Sequence, residues 1–232
     1  MSTRINKYLS EVGFCSRREA DRLIELGRVR INDRLAVIGD QVEENDLVSV
    51  DGKSLRPAEE MVYIALNKPK GITSTTDPKI KSNIVDFMKY PKRIFHVGRL
   101  DKDSEGLILM TNDGDIVNEI LRAEHAHEKE YLVTVDRILS SDFADKMSSG
   151  VPILNTITKP CKIEIVGPKT FKITLVEGLN RQIRRMCEFF GYRVLILKRI
   201  RIMHIKLDLP VGKYRYLTDS EIKELFRLIK KD

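Results

Sequence analysis

The spacing of apolar residues divides this chain into a short helical start and a longer, strand-rich remainder. Ile5, Tyr8, Leu9 and Val12 fall at i, i+3, i+4 and i+7, the stripe of an amphipathic helix over roughly residues 3–12. Ser16-Arg17-Arg18-Glu19 announces a second helix: a serine N-cap and a glutamate three residues on can satisfy each other's backbone N–H groups. Ala20, Leu23 and Ile24 continue one face of it, and Gly27 is a natural stop. Val29 and Ile31, an Asn32-Asp33 turn and residues 35–38 then read as a short hairpin, followed by a strand over 47–50. Apolar periodicity lapses over Asp51-Gly52-Lys53-Ser54-Leu55-Arg56-Pro57, which reads as turn and linker and places a domain boundary near residue 60.

Beyond that boundary the pattern is mainly strands, over 61–66, 95–97, 107–111, 129–135, 162–166, 171–176, 193–197 and 199–207. Gly167-Pro168-Lys169 joins two of them as a hairpin. Helical spacing recurs near 84–89, 115–122, 142–147, 182–190 and 219–228. Helices and strands do not alternate one for one, so the pattern predicts an α+β fold with a mixed, mainly antiparallel sheet flanked by helices, not a doubly wound one. The expected domains are 1–60 and 61–232.

Charge narrows the partners. The chain of 232 residues carries a formal net charge of +7, which favours a polyanion, either nucleic acid or an anionic membrane surface. No apolar run approaches the ~20 residues of a membrane helix, and Met1-Ser2-Thr3-Arg4 lacks the apolar core of a signal peptide. Nucleic acid in the cytoplasm is therefore the expectation, with no membrane partner. Cys15, Cys161 and Cys187 are far apart and odd in number, as reduced thiols would be. His125 and His127 flank Ala126 without a spaced partner cluster, so no metal site is expected, and no cofactor motif is present.

Three elements could carry chemistry. Gly98-Arg99-Leu100-Asp101-Lys102-Asp103-Ser104-Glu105-Gly106 is a polar loop between two apolar strands, a common location for catalytic groups. Its three acids at spacing two are equally compatible with turn residues beside Arg99 and Lys102. In Asn180-Arg181-Gln182-Ile183-Arg184-Arg185-Met186-Cys187-Glu188-Phe189-Phe190-Gly191, Asn180 suits an N-cap and Gly191 a C-terminal stop. Ile183, Met186, Cys187 and Phe190 form the buried stripe, Arg181 and Arg185 point away from it, and Arg184 lies at its edge. A guanidinium there either seeks a carboxylate or snorkels to water. The third element, Lys129-Glu130-Tyr131, begins a strand on which Tyr131 is open to packing or stacking.

Two resemblances order these elements. Ser16 to Ile24 followed by Gly27-Arg28-Val29-Arg30-Ile31-Asn32 resembles the S4 (αL-like) RNA-binding module over residues 3 to about 50. It implies RNA contacts from Arg4, Ser16, Arg17, Arg18, Arg28 and Asn32. Leu66-Asn67-Lys68-Pro69-Lys70-Gly71, Gly98-Arg99-Leu100-Asp101, Lys129-Glu130-Tyr131 and Asn180-Arg181-Gln182-Ile183-Arg184-Arg185-Met186 together resemble the S4-bearing ribosomal large-subunit pseudouridine synthases of the RsuA/RluB/RluE/RluF family, most nearly its RluF-type branch. The resemblance spans essentially the whole chain. It implies Asp101 as the catalytic carboxylate, Arg184 as its charge partner and Tyr131 stacked on the target base. Arg99 would fill the space of a flipped nucleotide, and Lys68, Arg181 and Arg185 would bind substrate.

The implied reaction converts a uridine in a stem-loop of 23S ribosomal RNA to pseudouridine, and needs no cofactor. The substrate is expected as free RNA or a ribosomal subassembly, the enzyme as a monomer, and tRNA stays open as a second or alternative substrate. Arg181, Arg185, Arg193, Lys198, Arg199, Arg201 and Lys206 add a basic run suited to phosphate contacts. Two rivals remain at this point: a non-enzymatic S4-bearing ribosome-associated protein, and an N-glycosidic hydrolase. The first leaves three motifs in the second segment unexplained, and the second lacks an evident partner acid at Asp103 or Glu105.

Overall fold

In the computed structural model, residues 2–55, 60–121 and 127–229 are described, and the chain divides into two units. Arg56 and Pro57 of the expected linker lie outside the described residues, as do Arg122 and His125.

The first unit holds β1 (Thr3–Arg4), α1 (Ile5–Glu11), α2 (Arg17–Glu25), β2 (Val29–Ile31), β3 (Arg34–Leu35), β4 (Gln41–Val42), β5 (Val48–Val50) and β6 (Lys53–Leu55). Ile5 and Leu9 of α1 and Ala20, Leu23 and Ile24 of α2 bury the predicted stripes against Val29, Ile31, Val48 and Val50. Ser16 Oγ accepts from the Glu19 N–H at 3.2 Å, and such a cap contributes roughly 1 kcal/mol. Gly27 takes φ +67°, as a helix stop requires. The stretch expected to be linker is strand as far as Leu55. After the Asp51-Gly52 turn, β6 folds back on β5, giving the order β3-β2-β5-β6. The signal was weak because β6 is short and its residues are exposed or half-buried. The unit also takes in Tyr90–Ile94 and Asn112–Gly114, distant in sequence.

The second unit runs through β7 (Tyr63–Lys68), α3 (Ile84–Met88), β8 (Phe95–Val97), β9 (Glu105–Thr111), α4 (Gly114–Leu121), β10 (Lys129–Val135), α5 (Phe143–Ser148), β11 (Pro152–Ile153), β12 (Thr156–Ile157), β13 (Lys162–Gly167), β14 (Thr170–Leu175), α6 (Gln182–Phe189), β15 (Val194–Ile202), β16 (Ile205–Lys206), β17 (Tyr214–Tyr216) and α7 (Asp219–Ile229). Among the described residues nine strands make one sheet, ordered β13-β14-β10-β15-β9-β7-β17, with β16 on β15 and β8 on β9. All its neighbours are antiparallel except β9 and β15, so the fold is α+β with a mixed, mainly antiparallel sheet. Phe143, Phe171, Met186 and Leu197 belong to one buried cluster, and Leu107, Ile116, Ile205 and Leu225 to another.

The strands expected over 193–197 and 199–207 are one long strand, β15, that turns at Met203 (φ +51°) into β16. The charges at 198–201 do not interrupt it because Arg199, 3% exposed, donates from Nε to the Leu107 carbonyl at 2.6 Å. Beside it, Gly106 holds φ +113°, and a Cβ there would lie 2.6 Å from the Arg199 backbone nitrogen. Only glycine lets the start of β9 run this close to β15. One row of paired residues thus crosses the sheet from Lys68 through Gly106 and Arg199 to Tyr131.

Candidate active site

Asp101 sits in the loop between β8 and β9, and its backbone is fixed from several directions. Ser74 Oγ donates to the Leu100 carbonyl at 2.9 Å and accepts from the Leu100 N–H at 3.2 Å. The Asp101 carbonyl accepts from the Ser104 N–H at 3.0 Å, and the Lys102 carbonyl from the Gly71 N–H at 2.8 Å. The carboxylate itself is half-buried, with Oδ2 at 3.6 Å from Arg181 Nη1 and 3.8 Å from Arg184 Nε. Both distances exceed hydrogen-bond reach. The guanidiniums therefore flank the carboxylate while leaving its oxygens available to a substrate.

Arg184 is the more enclosed of the two, with 15% of its side chain exposed. Its Nη atoms donate to the Val194 carbonyl (3.4 Å), the Asp103 carbonyl (3.4 Å) and Ser104 Oγ (3.3 Å). Nε, buried and facing Asp101, has no hydrogen-bond partner among the described residues. Burial, then the nearby Arg181 charge, lowers the Arg184 pKa, and Asp101 and Asp103 oppose them. Its place at the edge of the buried stripe is where helical spacing put it.

The N-terminus of α6 differs from the expectation. The residue at its N-cap is Arg181, not Asn180, and it holds a left-handed φ of +51°. Asn180 is engaged elsewhere: Arg185 donates from Nε to its carbonyl (3.0 Å) and from Nη2 to its Oδ1 (3.2 Å). Left-handed backbone in a non-glycine residue costs about 1 kcal/mol or more and concentrates at functional sites. Here it turns Arg181 toward Asp101, whereas Arg185 is folded back on its own helix start.

Tyr131, half-buried on β10, shares with Arg99, Asp101, Glu177, Arg181 and Leu197 the lining of an open cleft with about 500 Å³ of empty space. Sequence reasoning missed Glu177 and Gln182. Gln182, 4% exposed, accepts from the Leu179 N–H at 3.0 Å and donates to Glu177 Oε1 at 2.8 Å, fixing this wall of the cleft. Gln182 stands inside the quoted Asn180–Met186 motif and Glu177 outside it, but the contacts of both depend on a turn that only the folded chain makes.

Lys68, expected to bind substrate, is wholly buried instead. Its Nζ donates to the Pro69 (2.9 Å) and Ile72 (2.8 Å) carbonyls, and burial together with the Arg199 charge pushes its pKa down to about 8. It holds the 69–72 loop whose Gly71 N–H reaches the Asp101 loop at the Lys102 carbonyl. In the first unit Arg4, Arg17 and Arg18 are exposed, while Ser16 is committed to its cap. Arg28 makes a two-point contact with Asp51, 2.9 and 2.5 Å. Asn32 (φ +54°) is closed internally, donating to Asp46 Oδ1 at 2.8 Å and accepting from the Leu47 N–H at 2.9 Å.

A carboxylate flanked by two guanidiniums, in a cleft that a tyrosine lines on a mixed sheet, is the arrangement of an enzyme site, and sequence profiles say of which class. That of the RNA pseudouridylate synthase family matches residues 62–189 and that of the S4 domain residues 3–48. The chain belongs to the RNA pseudouridylate synthase family and is an RNA pseudouridine synthase. Among its relatives, the dual-specificity RNA pseudouridine synthase RluF of Salmonella typhi is 59% identical over 231 residues, covering 98% of this chain and 80% of that one. Ribosomal large subunit pseudouridine synthase B of Bacillus subtilis is 34% identical over 232 residues, covering 96% and 95%. A crystal structure of a pseudouridylate synthase superposes with TM-score 0.71 at 33% identity, covering 96% of this chain and 99% of that one. Among the described residues no helix is long and apolar enough to cross a membrane.

Proposed function

We propose that the chain isomerises a uridine in a stem-loop of 23S ribosomal RNA, with the first 60 residues holding RNA as an S4 domain and residues 61–232 carrying out the chemistry. The observation that carries the site assignment is Asp101 between two guanidiniums at the mouth of a cleft that Tyr131 lines. A uracil stacked in a helix is out of reach, so the nucleotide is flipped into this cleft. Tyr131 stacks on the base, and exposed Arg99 fills the vacated position. The reaction breaks the C1′–N1 bond, turns the ring and joins C1′ to C5. The C5 proton leaves and N1 is protonated, so nothing is gained or lost overall. Asp101 acts on the sugar or the ring, and Arg184, facing it through Nε, orients it.

Relatives bearing the name dual-specificity RNA pseudouridine synthase favour examining tRNA beside ribosomal RNA. The test maps pseudouridines in both RNAs from a strain lacking the protein, complemented with wild type or Asp101→Asn. A 23S site should vanish in the deletion and return only with wild type. Its persistence in the deletion refutes the target, and full restoration by Asp101→Asn refutes the carboxylate's role.

A further inference from the structure

A second cavity, with about 750 Å³ of empty space, opens at the C-terminal end of α6 and the start of β15. Arg181, Arg184 and Arg193 line it, with Glu188 as the opposing carboxylate. Two of the three guanidiniums, Arg181 and Arg184, already flank Asp101, which leaves Arg193 as the cation of this cavity not set against that carboxylate. Arg193 is exposed, and its side chain makes no hydrogen bond or ion pair among the described residues. Its backbone is nevertheless anchored: the N–H donates to Asp136 Oδ1 at 2.9 Å, and the carbonyl accepts from the Asp136 N–H at 3.0 Å. A free cation on a fixed backbone is suited to an external anion.

The wall also argues against a base. Tyr192, the cavity's aromatic residue, is 8% exposed and packs edge-on against Phe143 at 5.0 Å, so its ring is committed to the core and not offered for stacking. Guanidiniums without a stacking surface select phosphate oxygens. Arg181 lines both cavities, and its 3.6 Å approach to Asp101 leaves its N–H groups uncommitted to that carboxylate. An RNA strand whose uridine enters the first cavity brings a phosphodiester on either side of that nucleotide.

We propose that this second cavity binds a phosphodiester of the substrate strand close to the flipped uridine, held by Arg193 and Arg181. The proposal rests on the reading that the uridine enters the Asp101 cleft. It makes Arg181 the link between holding the strand and flanking the catalytic carboxylate.

The test uses the full-length protein and a set of stem-loop RNAs, each with one phosphodiester near the target uridine replaced by an uncharged methylphosphonate. Affinity is measured for wild type, Arg193→Gln and Arg193→Lys. Removing the charge from the one phosphate that Arg193 holds should weaken binding by roughly 3- to 10-fold and flatten the salt dependence by about one charge. At that linkage the methylphosphonate should weaken wild type by this factor and Arg193→Gln, which keeps only Arg181 on that phosphate, by a smaller one. Arg193→Lys should recover most of the affinity and again respond to the methylphosphonate. If every linkage costs the same fold in wild type and Arg193→Gln, or Arg193→Gln binds as wild type does, the proposal is overturned. Turnover is scored separately: tight, coupled binding without pseudouridine formation would fault the target RNA and not the phosphate site.

Discussion

At the residue scale the proposed chemistry turns on how Arg184 meets Asp101. The guanidinium lies 3.8 Å from the carboxylate through Nε while its Nη atoms reach Val194, Asp103 and Ser104. A lysine supplies the charge but only at one point, so it cannot keep these contacts and also face Asp101. Arg184→Lys should therefore lower kcat by about 10- to 100-fold with little change in KM, the signature of an interaction that matters in the transition state. An equal rise in KM with kcat intact would show that Arg184 only binds RNA. Helical spacing alone placed Arg184 beside the buried face. It could not place Arg181, whose approach depends on its own left-handed backbone at the N-cap, one residue beyond the cap expected at Asn180. Lys68 shows the opposite limit: its motif was visible, but the burial that turns it from ligand into loop support was not.

At the element scale, strands read well from sequence where both faces are apolar and poorly where they form an edge. β10 was legible end to end, since its apolar run from Tyr131 to Val133, with Val135, lies inside a sheet with partners on both sides. β17 was missed because Tyr214 and Tyr216 are exposed and the strand pairs only with β7 at the sheet's rim. What secures that rim is polar. Arg215 of β17 donates to Glu221 of α7 at 2.7 and 2.8 Å and to Asp208 at 3.0 Å. These bonds push the Glu221 pKa down to about 2, against about 4.3 for an unperturbed glutamate. The folded state therefore holds Glu221 ionised where the unfolded chain would protonate it. Its contribution is fully present above about pH 4.3 and is lost as pH falls toward 2. Chemical denaturation across pH 2.5–5 should show Arg215→Met losing part of the acid-range slope of wild type, on the order of 1–2 kcal/mol between the two ends. Parallel slopes would mean that the pair does not couple to folding.

At the scale of the whole molecule, the two-part plan was legible because a helical, arginine-rich segment gives way to strands near residue 60. The unit's true extent was not, because it depends on contacts distant in sequence. Arg93 donates to Ser10 Oγ at 3.1 Å, and Asn112 accepts from the Val62 N–H at 2.8 Å and donates to the Glu60 carbonyl at 3.0 Å. Deleting residues 1–60 would strip Ser10 and Glu60 as well as the proposed RNA-binding surface, and so would confuse folding with binding. Reversing charge on exposed side chains separates the two. Arg17 and Arg18 are fully available on α2, unlike Arg28 and Asn32, which are tied to Asp51 and Asp46. If the first unit holds RNA, Arg17→Glu combined with Arg18→Glu should weaken stem-loop binding at least 10-fold at low salt. It should also reduce the slope of log affinity against log salt by one to two charges, roughly 0.7–0.9 each. At saturating RNA, kcat should stay within about twofold of wild type, since uniform binding is removed and transition-state stabilisation is not. Unchanged affinity would remove these arginines from the RNA surface, and a fall in kcat at saturation would give the first unit a part in the chemical step.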